Sequence, residues 1–182
     1  MLRVRSTSIP PGTWTIDPAR SRIEFSVKHL MVATVRGRFT AFEGTVASDA
    51  VGLSRATGIV QTASIDTGEP KRDEHLRGPS FLDVDRSPQI HFASRRIERG
   101  GGEGFRVVGD LTIKGVTREL ALQAVLRNDS VDPDRLHVGA HGEIMRSAFG
   151  LSWREVLEAA GALVSDRVMV SLEVVAVPAA SV

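Results

Sequence analysis

Residues 71–92 read KRDEHLRGPSFLDVDRSPQIHF and gather Asp73, Glu74, His75, Asp83, Asp85 and His91 into one short segment. Carboxylates and imidazoles at this density are the raw material of a metal site or of an acid–base pair. The spacing assembles neither. A zinc-protease helix sets two histidines four residues apart on one face, and His75 has no such partner. Asp73 and Arg77 stand four apart with the acid first, a pair that supports a helix by a few tenths of a kcal/mol. Glu74 near the helix start, and His75 with Arg77 near its end, complement the helix dipole. Leu76 is the single apolar anchor, DVDRSP is turn chemistry, and His91 falls inside a strand between Ile90 and Phe92. The local physics of helix, turn and strand accounts for every charge in the segment.

The remaining histidines give no more. His29 ends a strand, and HVGAH places His137 and His141 on one strand face about 13 Å apart, too far for one metal. There is no G-x-S-x-G elbow, no glycine-rich phosphate loop and no cysteine. No catalytic residue, metal ligand or cofactor site is therefore assigned.

The elements that would position any site show a period of two. RIEFSVKH puts Ile23, Phe25 and Val27 on one face and Arg22, Glu24, Ser26 and Lys28 on the other. FRVVGDLTIKG aligns Phe105, Val107, Gly109, Leu111 and Ile113. VTRELALQAVLR aligns Val116, Leu120, Leu122, Ala124 and Leu126, and RVMVSLEVVAV aligns Val168, Val170, Leu172, Val174 and Ala176. Further strands are expected over 12–17, 37–48, 55–65, 88–98 and 135–146. Two short helices interrupt them. One covers residues 70–77, from Pro70 to the Gly78-Pro79 stop, and one covers 152–160, where Ser152 and Glu155 form a capping-box pattern. Eight or nine strands with one apolar face are expected to close as an antiparallel barrel, which hides that face and the sheet edges together.

Length and charge bound the rest. A chain of 182 residues fits one domain, and 23 basic against 22 acidic residues give a net charge of +1. That balance offers no footprint for nucleic acid. Twenty of the basic residues are arginine, spread evenly along the chain. The opening MLRVRSTSIPPGTW has no apolar run, and no stretch approaches the roughly 18 apolar residues of a membrane span, so a cytoplasmic location is expected.

An ordered set of phrases resembles the YceI-like, polyisoprenoid-binding family. It runs IDPARSRIEFSVKHL, VRGRFTAFEG, SIDTGEPKRDEHLRGPSFLDV, SPQIHFAS, VVGDLTIKGVTRELAL and SAFGLSW. The resemblance covers residues 12–178 as a single domain, with tails at 1–11 and 179–182. It implies an eight-stranded lipocalin-like barrel whose interior tunnel holds a long isoprenoid chain, such as a polyprenyl lipid or a quinone tail, and often a homodimer. Two departures from the family pattern stand out: Ser87-Pro88 replaces an aromatic-proline pair, and Ser80-Phe81-Leu82 replaces an acidic-Phe-Phe run.

The alternation and the resemblance meet at the barrel interior. The expected lipid-binding wall is Phe25, Val27, Phe39, Phe42, Phe92, Leu111, Ile113, Leu120, Phe149, Leu151 and Trp153, with Met31 and Met145 as adaptable additions. The expected function is non-catalytic binding of an isoprenoid lipid with no other cofactor. Two rival classes stay open at this point. One is an enzyme on the same scaffold using His29, His75 or His91; the other is an interaction module with a vestigial cavity.

Overall fold

The computed structural model describes residues 9–29, 32–102, 104–127, 134–152 and 164–180. The described strands are β1 (Gly12–Ile16), β2 (Arg22–His29), β3 (Ala33–Phe39), β4 (Phe42–Asp49), β5 (Gly52–Gln61), β6 (Ile65–Asp66), β7 (Gln89–Arg99), β8 (Gly104–Ile113), β9 (Val116–Leu126), β10 (Leu136–Met145) and β11 (Val164–Pro178). All pair antiparallel. The order β1-β4-β5-β7-β8-β9-β10-β11 returns to β1, closing an eight-stranded barrel. β2, β3 and β6 continue its wall beside the first half of β11.

The long strand β11 makes this possible. Its end pairs with β1 through Ala176–Pro178, and its first part pairs with β2 through Val164–Glu173. Between β1 and β2 the chain leaves the ladder, and Ser21 fills the break. Its hydroxyl donates to the Val175 carbonyl at 3.1 Å and accepts from the Val175 N–H at 2.9 Å. Ser94 acts alike at the irregularity in β7, where its Oγ accepts from the Ala56 N–H at 2.9 Å. These hydroxyls keep buried backbone groups paired where the strands bend.

Two expected strands are shorter than the alternation suggests. The span 37–48 is broken at Thr40–Ala41 into β3 and β4, and 55–65 ends at Gln61 in a 3₁₀ turn, Thr62–Ser64. The physical reason lies in the spacing of Phe39 and Phe42, which a continuous strand would send to opposite faces. The break restarts the alternation and turns both rings inward.

One end of the barrel is a packed base. Trp14, Phe105, Leu126, Leu136 and Ala176 are all buried there. The Trp14 indole donates to Ser48 Oγ at 3.0 Å, which donates in turn to the Pro10 carbonyl at 2.6 Å. The tight hairpin of β8 and β9 lies at the other end, with Lys114 and Gly115 both at positive φ as a type I′ turn requires. The helix α1 (Pro70–Arg77) covers that end.

Helix α1 starts at Pro70, with the Glu69 side chain accepting from the Lys71 N–H, and ends at Gly78. The expected Asp73–Arg77 pair does not form. Asp73 is only 6% exposed and accepts from the N–H and hydroxyl of Thr67, at 3.0 and 2.5 Å. Arg77 instead donates to the carbonyls of Ala63 and Ile65. The acid is more valuable buried against two donors than exposed beside a cation, where an ion pair is worth little. The helix expected at 152–160 lies outside the described residues, apart from its first residue, Ser152.

Candidate functional site

Inside the barrel, above the packed base, is a cavity of about 270 Å³. A single water needs roughly 10–15 Å³ on such a scale, so the barrel is hollow rather than filled by side chains. The walls come from inward positions of nearly every strand. Phe25 and Val27 contribute from β2, Phe39 from β3, Phe42 from β4 and Phe92 from β7. Leu111 and Ile113 contribute from β8, Leu120 from β9, and Leu151 from the segment after β10. β11 adds Val168, Val170, Leu172 and Val174, which its alternation had already set on one face. Leu76, Phe81 and Leu82 bound the cavity at the α1 end.

Two expected wall residues sit elsewhere. Met145 is 43% exposed on the outer face, because the inward row of β10 is Leu136, Val138, Ala140, Gly142 and Ile144. Its position is out of phase by one residue, which in a strand reverses the face. Phe149 is buried but is not part of the wall. It ends the 3₁₀ turn Arg146–Phe149, which packs against β9 and β11; β9 and β10 themselves are paired only from Leu126–Val138 to Gln123–His141. Met31 and Trp153 lie outside the described residues.

The histidines and acids of the opening segment do not converge on the cavity. His75 sets its Nδ1 2.9 Å from the Lys71 carbonyl, one turn back on the helix. His91 lies in the outward row of β7, opposite Thr112. His137 Nε2 is 3.3 Å from Glu173 on the outer face. Among the described residues no group of three or more histidines and carboxylates is placed to hold a metal ion. No helix there is long and apolar enough to cross a membrane.

A sequence model of the YceI-like domain matches residues 14–176, which is nearly the whole barrel. The chain belongs to the YceI-like family. A UPF0312 protein of Staphylococcus aureus (strain USA300) is 32% identical over 161 residues, spanning 85% of this chain and 91% of its own length. A UPF0312 protein of Yersinia pestis (strain Pestoides F) is 35% identical over 135 residues, 71% and 70% of the two chains. Among solved structures, BcnA of Burkholderia cenocepacia superposes with a TM-score of 0.78 at 25% identity, covering 88% of this chain and 98% of BcnA. A polyisoprenoid binding domain from Saccharophagus degradans shares the fold with a TM-score of 0.76 at 15% identity, covering 91% of this chain and 98% of that one.

Within this YceI-like barrel the cavity's few polar neighbours matter most, and alternation could not have found them. Arg72, on α1, donates Nε to Thr67 Oγ1 at 2.8 Å and Nη2 to the Thr67 carbonyl at 3.0 Å. Arg146 donates to the carbonyls of Ser165, Leu151 and Val164 at 3.1, 2.9 and 3.3 Å. Both half-buried side chains border the cavity. Burial draws the Arg146 guanidinium below its ordinary pKa, and the charge of Asp166 opposes that. The carboxylate among the wall residues, Glu43, belongs to the exposed outward row of β4.

Proposed function

We propose that this protein binds and carries a long isoprenoid lipid, a polyprenyl chain or a quinone tail, without acting on it chemically. The observation that carries this reading is the hollow barrel with an almost wholly apolar wall, stopped at one end by a packed base. Such a space offers an extended hydrocarbon burial on all sides, on the order of 0.8 kcal/mol per CH₂ before the cost of ordering the chain. Family membership supports the same reading, as does the fold shared with the Saccharophagus domain described as polyisoprenoid binding. The separation of the histidines and acids from the cavity supports carriage rather than turnover.

Under this reading the lipid is the only small molecule needed, and the protein works in the cytoplasm as a homodimer. Mass spectrometry of an organic extract of freshly purified protein tests the central claim. A stoichiometric isoprenoid species is the expected result. An extract without lipid, from protein that also fails to take up polyprenyl compounds or quinones, would overturn it. Sedimentation of the same sample reports the oligomeric state.

A further inference from the structure

A barrel wall of alternating residues presents side chains to the lumen and keeps the backbone behind them. At Gly58 on β5 the lumen reaches the backbone, and of the described glycines only Gly58 lines the cavity. Gly37, Gly44, Gly109 and Gly142 also hold inward positions, but each lies under a side chain. Phe25 covers Gly37, Ile16 covers Gly44, Phe92 covers Gly109 and Leu122 covers Gly142. A Cβ added to Gly44 would meet Ile16 Cδ1 at 2.8 Å, and one added to Gly142 would meet Leu122 Cδ2 at 2.9 Å. At Gly58 the same atom would meet nothing nearer than the Glu43 carbonyl, 3.9 Å away.

Neither ladder partner of Gly58 covers it. Gly44 on β4 has no side chain, and Phe92 on β7 is folded toward Gly109 on β8. Three outward-row residues border the cavity here as well: Glu43 and Thr45 on either side of Gly44, and Thr57 next to Gly58. Their backbone reaches the lumen because no inward side chain stands in front of it. One side chain is thus missing from the wall, and a recess of that depth opens in its place. The recess is next to the closed end. Trp14, Val46 and Ala56 form one apolar cross-strand row at the packed base. Ile16, Gly44 and Gly58 are the next inward positions on the same three strands.

A chain that enters from the other end leads with its hydrocarbon terminus, since a polar head is costly to bury against this apolar floor. The terminus is where hydrocarbon chains differ in width. An isoprenoid ends in a carbon bearing two methyl groups, whereas a straight chain ends in a single methyl. We propose that the Gly58 recess receives the second methyl of such a geminal dimethyl terminus, and that this makes the closed end selective for isoprenoid over straight chains. The proposal rests on the carrier reading above and assigns the determinant of tail selectivity to one residue.

The test is displacement of the neutral dye Nile red from wild-type protein by three heptadecanol isomers with the same number of carbons. One is straight, one ends in a geminal dimethyl group, and one carries its methyl branch at mid-chain. The terminally branched alcohol should bind about fourfold more tightly than the straight one, the ratio given by burying one further CH₂ group. The mid-chain isomer should not share that gain. Gly58→Ala places one carbon in the recess without a clash, and Gly58→Val fills more of it with a residue suited to a strand. Each should bring the ratio toward one while the straight alcohol stays bound. If Gly58→Val fails to fold, Gly58→Ala decides alone. Equal affinity for the straight and terminally branched alcohols in wild-type protein overturns the proposal, as does a preference that both variants leave intact. A gain shared by the mid-chain isomer, or loss of the straight alcohol in Gly58→Ala, also overturns it, because Gly58 then acts on the whole chain rather than on its end. If all three alcohols displace the dye equally, the carrier reading stands and this one falls; if none does, both fall.

Discussion

The ring of Phe25 on β2 lies over the bare backbone of Gly37, its cross-strand partner on β3, so closely that a Cβ on Gly37 would overlap Phe25 Cζ. Phe92 sits likewise against Gly109, where an added Cβ would meet its Cζ at 2.8 Å. Both rings line the cavity. The glycines let them fold back against the wall, so the barrel keeps an apolar surface without losing its lumen.

Gly37→Val should therefore act on the cavity through Phe25. The new side chain displaces the ring toward the lumen, and crowding of this kind costs about 1–3 kcal/mol. Thermal unfolding should show that loss, and Nile red titration should show reduced uptake. Full uptake in a folded variant would mean that the ring does not set the lumen's width.

Ala140→Phe separates a hollow interior from a packed one. Ala140 belongs to the inward row of β10 and borders the cavity, so the added ring enters empty space. Stability should hold or rise, by roughly 0.5–2 kcal/mol as in other cavity-filling changes, while uptake of apolar ligand falls. A solid core would answer with the opposite pair of changes. Urea unfolding and dye titration on one preparation decide between them.

Asp73 and His75 are two residues apart and should behave very differently. Removing the Asp73 carboxylate strands the Thr67 N–H and hydroxyl in a part-buried site, so Asp73→Ala should cost about 1–3 kcal/mol. His75 is exposed and touches a carbonyl of its own helix, so His75→Ala should cost less than about 1 kcal/mol. Urea unfolding measures both. A metal found at one equivalent in the wild type and lost in His75→Ala would contradict the structural role given to this histidine.

How much of this was legible beforehand depends on which interaction sets each residue's place. In β2 and β11 the inward rows are the apolar rows, and Ile23, Phe25, Val27, Val168, Val170 and Leu172 could be placed by alternation alone. Where the chain slips phase the same rule misleads. Phe39 and Phe42 share a face only because Thr40 and Ala41 leave the ladder, and Met145 faces out because the inward row of β10 ends at Ile144. Pairing choices are less visible still, since Asp73 has a good local partner in Arg77 and takes Thr67 instead. Arg72 and Arg146 were beyond reach of the pattern. In a chain with twenty arginines, nothing local marks the two that border an apolar cavity.

Acid should loosen the turns held by Asp166 and Asp66 before it affects the barrel wall. The Ser147 hydroxyl, with help from the Ser147 N–H and Arg146, holds Asp166 below the usual carboxylate range. The Gly68 N–H and then Arg38 do the same for Asp66. Each folded pKa is thus lower than its unfolded value. In such a case the folded state binds fewer protons, so the contribution to stability is complete above the unfolded value, about 3.9, and is lost as pH falls through the folded one. Both groups are half-buried at the surface and solvent screens them, so the effect is a shallow slope rather than a collapse. Carboxyl-carbon NMR titration should place both residues below the ordinary aspartate value, and Ser147→Ala should return Asp166 toward it while leaving Asp66 in place. Asp166→Asn should flatten the acid limb of the stability profile measured by urea unfolding. An unchanged limb, or an Asp166 that titrates normally in the wild type, would remove the Ser147 hydroxyl as the cause.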